Sequence, residues 1–225
     1  MQSPRFRPVA EHSLLVEFGE GVDATLHQAV LQLDAALNAA PPPEMVETVP
    51  GNACLLVRFD MLRTDHAAME AAIRQRLDAR PAEPAEPRQH QIDICYDEGC
   101  AVDLAAIAAA TGQSEDTVIA AHLGATYQVF MYGFAPGYAY LTGVPPALQL
   151  PRKPAAIRDI PAGSVLIASS QCIISTLKMP SGWWIIGKSP TRILTSDPTH
   201  PFLFAPGDEV RFRRIPASQA ERTDG

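Results

Sequence analysis

The chain has 225 residues, 47% of them hydrophobic and 19% charged, the balance of a soluble globular protein with room for one large or two modest domains. No apolar run approaches the roughly 20 residues that span a bilayer, and the opening Met1-Gln-Ser-Pro-Arg-Phe-Arg lacks a signal peptide's apolar segment, so a cytoplasmic protein with no membrane partner is expected. A net charge of -7 argues against nucleic acid as a partner, and the scattered Cys54, Cys95, Cys100 and Cys172 suit reduced thiols rather than a disulfide framework or a metal site.

Residues 1–80 read as a small α/β domain. Ser13 to Phe18 is strand-like and Gly19-Glu-Gly21 ends it. Asp23 is placed to cap a helix whose apolar face is Leu26, Val30, Leu33 and Leu37, stopped by Pro41-Pro-Pro43. Met45–Val49 and Cys54–Phe59 bracket Pro50-Gly-Asn as a hairpin, and Thr64 is placed to cap a second helix with Met69, Ala72, Ile73 and Leu77 inward. Strand, helix, hairpin, helix predicts a ferredoxin-like arrangement.

Pro81, Pro84 and Pro87 predict a proline-rich linker over residues 81–88, leaving 89–225 as a second domain. Its first strand is Gln91 to Tyr96. Helices are predicted from Asp103 to Thr111, ended by Gly112, and from Ser114 to Leu123, ended by Gly124. After Gly124 short apolar runs recur at 127–131, 164–168, 172–177, 183–186, 193–195 and 210–215. Turns are expected at Ala135–Tyr138 and Ala205–Asp208 (type II), and at Ile160–Gly163 and Met179–Gly182 (type I). Many short strands with regular turns predict a β-barrel or sandwich. Charge is uneven: residues 126–214 hold nine basic and four acidic side chains, a local +5 that leaves -12 elsewhere. Such a segment suits a carboxylate, a phosphate or an acidic surface.

Gly182-Trp-Trp-Ile-Ile-Gly-Lys-Ser189 matches the spacing of a nucleotide-binding P-loop. Its four middle residues favour a buried strand, and the following Pro190–Thr195 also reads as strand, so the match is taken as formal. Cys172, inside an apolar run, is read as a core residue.

The second domain nevertheless resembles a known family in an ordered set of pieces. They are Val118-Ile-Ala-Ala-His122, Gly133-Phe-Ala-Pro-Gly-Tyr-Ala-Tyr-Leu141, Pro151-Arg152, Pro161-Ala-Gly-Ser-Val165, Ile167-Ala168 with Gln171, Gly182-Trp183, and Ile186-Gly187 before Pro190. The family is that of the B-type subunit of 5-oxoprolinase, also called allophanate hydrolase subunit 1, with relatives in urea carboxylase and in a sporulation kinase inhibitor. The resemblance implies an α+β protein: a small ferredoxin-like domain followed by a cyclophilin-like β-barrel.

By the same resemblance the chain is a subunit of an ATP-dependent hydrolase that opens 5-oxoproline to glutamate and is inactive alone. Its implied partners are a second cyclophilin-like subunit, of the 5-oxoprolinase C-type or allophanate hydrolase subunit 2 type, and a third subunit, with ATP as cofactor of the complex. Implied substrate contacts are Phe134, Pro136, Gly137, Tyr140, Arg152, Ser164, Gln171, Trp183 and Lys188, with Arg152 the anion anchor and His122 a proton carrier. The chain departs from the family at Ser170–Thr176 and at Ser181–Pro190, where Lys188 replaces an arginine and loses its bidentate fork. Two alternatives stand beside this reading: a carboxyltransferase component acting with carboxybiotin, and a regulatory module that inhibits a histidine kinase.

Overall fold

A computed structural model describes residues 3–78 and 86–220, which divide into two compact units on either side of Glu86 and Pro87. Pro81 and Pro84 of the expected linker lie outside the described residues.

The first unit runs β1 (Arg5–Ala10), β2 (Ser13–Glu17), α1 (Ala24–Ala39), β3 (Met45–Pro50), β4 (Cys54–Phe59) and α2 (His66–Asp78). Its antiparallel sheet has the order β1-β2-β4-β3. This is the ferredoxin-like order with its outer strand supplied from the N-terminal side. That strand, β1, escapes the sequence pattern because it is largely exposed and contains Pro8, which an edge strand tolerates.

Helix α1 starts where Asp23 accepts bonds from the Thr25 and Leu26 amides, at 2.8 and 2.9 Å. It buries Val30, Leu33 and Leu37 against Leu14, Val16, Leu55, Val57 and Phe59. Each such side chain contributes about 1.5–3 kcal/mol by leaving water. The cap of α2 is Asp65 rather than the expected Thr64: its carboxylate accepts the Ala68 amide at 2.8 Å, the geometry of a residue immediately before the helix.

The second unit contains β5 (Gln89–Ile94), α3 (Leu104–Thr111), α4 (Glu115–Gly124), β6 (Tyr127–Tyr132), β7 (Ala139–Thr142), β8 (Ile157–Ile160), β9 (Ser164–Ala168), β10 (Gln171–Ile174), β11 (Met179–Ser181), β12 (Trp184–Lys188) and β13 (Glu209–Arg214). Seven strands form one sheet in the order β12-β9-β10-β7-β6-β13-β5. Its ends meet through reciprocal backbone bonds between Cys95 and Lys188, at 2.8 and 3.0 Å, which nearly close a barrel.

Both faces of this sheet are covered. Val165, Ile167, Cys172, Ile174 and Ile186 face a core completed by Leu104, Ile107, Val118 and Ile119 of α3 and α4. Leu166, Ala168, Ile173 and Ile185 point the other way, into a second cluster with Ile160 of β8 and Met179 of β11. Covering both faces makes β9 buried at all five positions, so it reads as an unbroken apolar run.

Gly112 caps α3 with φ 66°, and the Ser114 hydroxyl accepts the Thr117 amide at the start of α4. The Ala135–Tyr138 and Ala205–Asp208 turns form, with Gly137 and Gly207 at positive φ and closing bonds of 3.1 and 3.0 Å. The third expected turn is displaced by one residue: Ser164 N bonds Pro161 O, with Gly163 at φ 84°. The fourth, Met179–Gly182, is replaced by β11, whose pairing with β8 outweighs the local proline and glycine signal.

Candidate functional site

Gly133 to Tyr140 leaves β6, turns tightly and returns as β7. Phe134 holds φ 68° without being glycine, and its side chain is 72% exposed. Backbone strain and an exposed ring together mark a position shaped for contact rather than for packing. The Phe134 ring lies 5.4 Å from Tyr138, Tyr138 lies 5.4 Å from Tyr140, and Tyr140 lies 6.1 Å from Trp183.

The row ends in a cation: the Arg152 guanidinium sits 5.6 Å from the Trp183 ring centre. Arg152 is aimed there by its neighbours. Trp184 Nε1 donates to Pro151 O at 2.8 Å and the Lys153 amide donates to Gly182 O at 2.7 Å. The Lys153 ammonium then reaches inward to Asp103 at 2.5 Å, both side chains being largely buried. Asp103 also accepts the Ile185 amide at 2.7 Å, so one carboxylate ties the Pro151–Lys153 segment to α3 and β12.

Beside this row lies a groove of about 310 Å³ lined by Thr176, Arg192, Ile193, Leu194, Thr195 and Ser196. The Thr176 hydroxyl donates to Pro136 O at 2.8 Å, which anchors the turn to the groove. Gly137 presses on the groove's other side: a Cβ there would lie 2.7 Å from a Leu194 methyl. Arg192 is exposed and makes no ion pair among the described residues.

A carboxyltransferase domain model, subdomain C and D, matches residues 4–204. The chain belongs to this family. Two relatives named as the B-type subunit of 5-oxoprolinase, from Bacillus subtilis and Escherichia coli O157:H7, are each 31% identical to it. The alignments cover 92% and 94% of this chain and 91% and 96% of those proteins. A solved structure, TTHA0988, superposes with a TM-score of 0.80 at 32% identity over 92% of this chain, which spans 40% of the TTHA0988 chain.

Of the residues that the family pattern puts forward, Phe134, Tyr140, Arg152 and Trp183 come together in the aromatic row, and Pro136 and Gly137 border the groove. Ser164 is turned to structural use: 4% exposed, its hydroxyl donates to Pro161 O at 2.8 Å, as does that of Ser175. Gln171 pairs with Ala168 at the far end of the β9–β10 hairpin from Ser164, about 13 Å away at 3.3 Å per residue. Lys188 pairs with Ser164 at the end of β12. The P-loop-like run that contains it is a paired strand, with none of the phosphate cradle its spacing suggests.

His122 lies in none of these places. It is completely buried in the barrel core, its ring tilted against those of Phe212 and Tyr127 at centroid distances of 4.7 and 5.2 Å. Its Nδ1 shares a 2.7 Å hydrogen bond with the Tyr96 hydroxyl, and Cys172 Sγ lies 4.0 Å from Nε2. Loss of water around the ring holds its pKa down at about 3, so the imidazole is neutral near pH 7 and touches no solvent. The same burial pushes the Cys172 thiol far above its usual range, which removes it as a nucleophile. In this fold His122 supports the barrel rather than lining a cleft.

Arg192 and Thr176 are the residues missed by motif reading. The one sign in the sequence was that Arg192 is a cation between Pro190 and the Ile193–Thr195 apolar run, within the basic segment.

Proposed function

We propose that this protein is the B-type subunit of an ATP-dependent 5-oxoprolinase, opening 5-oxoproline to glutamate together with a second cyclophilin-like subunit and a third subunit. The observation that carries the reading is the match, along nearly the whole chain and both of its units, to relatives named as that subunit. The site chemistry suits a subunit. The exposed Phe134 ring and Arg152 guanidinium suit contact with a partner surface, whereas His122 and Cys172, a histidine and a thiol close to each other, are sealed in the core. ATP is assigned to the assembled complex rather than to β12 of this chain.

The test is co-expression with the other two candidate subunits, purification of the complex, and assay of 5-oxoproline-dependent ATP hydrolysis. Turnover by the complex but not by this chain alone is expected; an intact complex without turnover overturns the reading. The family's description as a carboxyltransferase domain favours a second reading, carboxyl transfer; its donor would be carboxybiotin and its acceptor urea or a related amide. Carboxylation that requires a biotin carboxylase partner, with no 5-oxoproline-dependent ATP hydrolysis, replaces the first reading with the second.

A further inference from the structure

We propose that the groove at Thr176 and Arg192 is where the substrate's carboxylate binds, with Arg192 as its anchor and Thr176 as the acceptor for the adjacent amide N–H. The assignment rests on the 5-oxoprolinase reading above and departs from the family pattern, which points to Arg152.

Two features of the groove select the ligand. Arg192 is the only charged side chain in the lining, and it has no carboxylate partner among the described residues. A guanidinium only donates, through a planar fork that fits a carboxylate. Thr176 is the complement. Its proton is committed to Pro136 O at 2.8 Å, so its oxygen offers only lone pairs to anything in the groove.

A donor fork and an oriented acceptor ask for a small anion that carries an N–H close to its carboxylate. In 5-oxoproline the lactam nitrogen and the carboxylate are borne by the same carbon. Ile193 and Leu194 supply an apolar lining for the ring methylenes. The volume of about 310 Å³ is at the small end of the range for ligand pockets.

The walls are also fixed in place. The Pro136–Gly137 turn is tied to Thr176 and packed against Leu194, and Leu194 pairs with Phe202 while the Thr195 amide donates to Pro201 O at 2.9 Å. Arg152 differs: it is exposed, its guanidinium lies over the buried Trp183 ring, and it lines no part of the groove. That position suits contact with a partner surface better than enclosure of a small ligand.

The experiment uses the reconstituted complex with Arg192→Gln, Arg192→Lys and Arg152→Gln, each checked for unchanged thermal stability. The KM for 5-oxoproline is measured in the complex. Binding of 5-oxoproline and of pyrrolidin-2-one, which lacks the carboxylate, to the full chain alone is measured by titration calorimetry. Arg192→Gln is expected to raise the KM by about tenfold or more, the effect of losing a charge-assisted pair. Arg192→Lys recovers part of that loss, and Arg152→Gln changes KM by less than about threefold, the scale of an exposed contact. For the chain alone, 5-oxoproline binding falls in Arg192→Gln while pyrrolidin-2-one binding is unmoved. An unchanged KM in Arg192→Gln, or a larger effect in Arg152→Gln, overturns the groove assignment and leaves the functional reading standing. Absence of turnover in the wild-type complex rejects the functional reading instead, and both assignments fall together.

Discussion

Buried His122 makes the barrel's stability depend on pH in a way that one substitution can isolate. Its folded pKa of about 3 lies below the ordinary value of 6.5, so below pH 6.5 the unfolded chain takes up a proton that the folded chain refuses. Stability from this group is therefore complete above about pH 6.5 and is lost progressively as pH falls toward 3. At about 1.36 kcal/mol per pKa unit, lowering the pH from 7 to 5 costs about 2 kcal/mol. His122→Gln keeps an oxygen able to accept from Tyr96 and removes the titration. Other ionisable groups are common to both proteins, so the variant should lose about 2 kcal/mol less than wild type over the same interval. Urea unfolding at pH 5, 6, 7 and 8 measures this. Trp183 and Trp184 are the chain's two tryptophans and both lie in the barrel unit, so their fluorescence follows that unit alone. Parallel pH profiles for wild type and variant would refute the assignment of the imidazole to a dry, neutral core site.

Asp103→Ala should destabilise the barrel unit by about 3–5 kcal/mol in the same fluorescence assay, because it strands the Lys153 charge and the Ile185 amide in a largely buried setting. In Gly137→Ala, the left-handed φ of 68° costs about 1–2 kcal/mol. The new methyl also forces Leu194 toward the groove, so a rise in KM should accompany the lower melting temperature. Asp23→Ala should cost the first unit about 1 kcal/mol through loss of two capping bonds, read as a reduced urea midpoint by circular dichroism.

Helices were the most legible elements. Asp23, Ser114 and Gly112 act within a few residues of their own positions, and each performs the capping role its residue type implies. The long apolar strands were legible too, because burial on both faces leaves little room for polar residues. The short strands were not: β8 and β11 hold four and three residues, and proline interrupts β11. They exist because they pair with each other over the second apolar face of the sheet, a condition that no local pattern records.

For the candidate site the division is similar. Composition and motif order by themselves determined the two-part α+β architecture, the family, and the clustering of aromatic and basic residues near Gly133–Tyr140 and Arg152. Tertiary structure alone decided which of those residues meet. A histidine in the last turn of a helix reads the same whether that turn faces a cleft or a core, and only α4 packing on the barrel seals His122 away. Arg192 and Thr176 are 16 positions apart, in segments with no shared motif, and they line one groove only because the barrel brings the end of β10 beside the chain that follows β12. Local interactions write themselves into neighbouring residues. A site assembled across strands depends on register and closure, which are properties of the whole sheet.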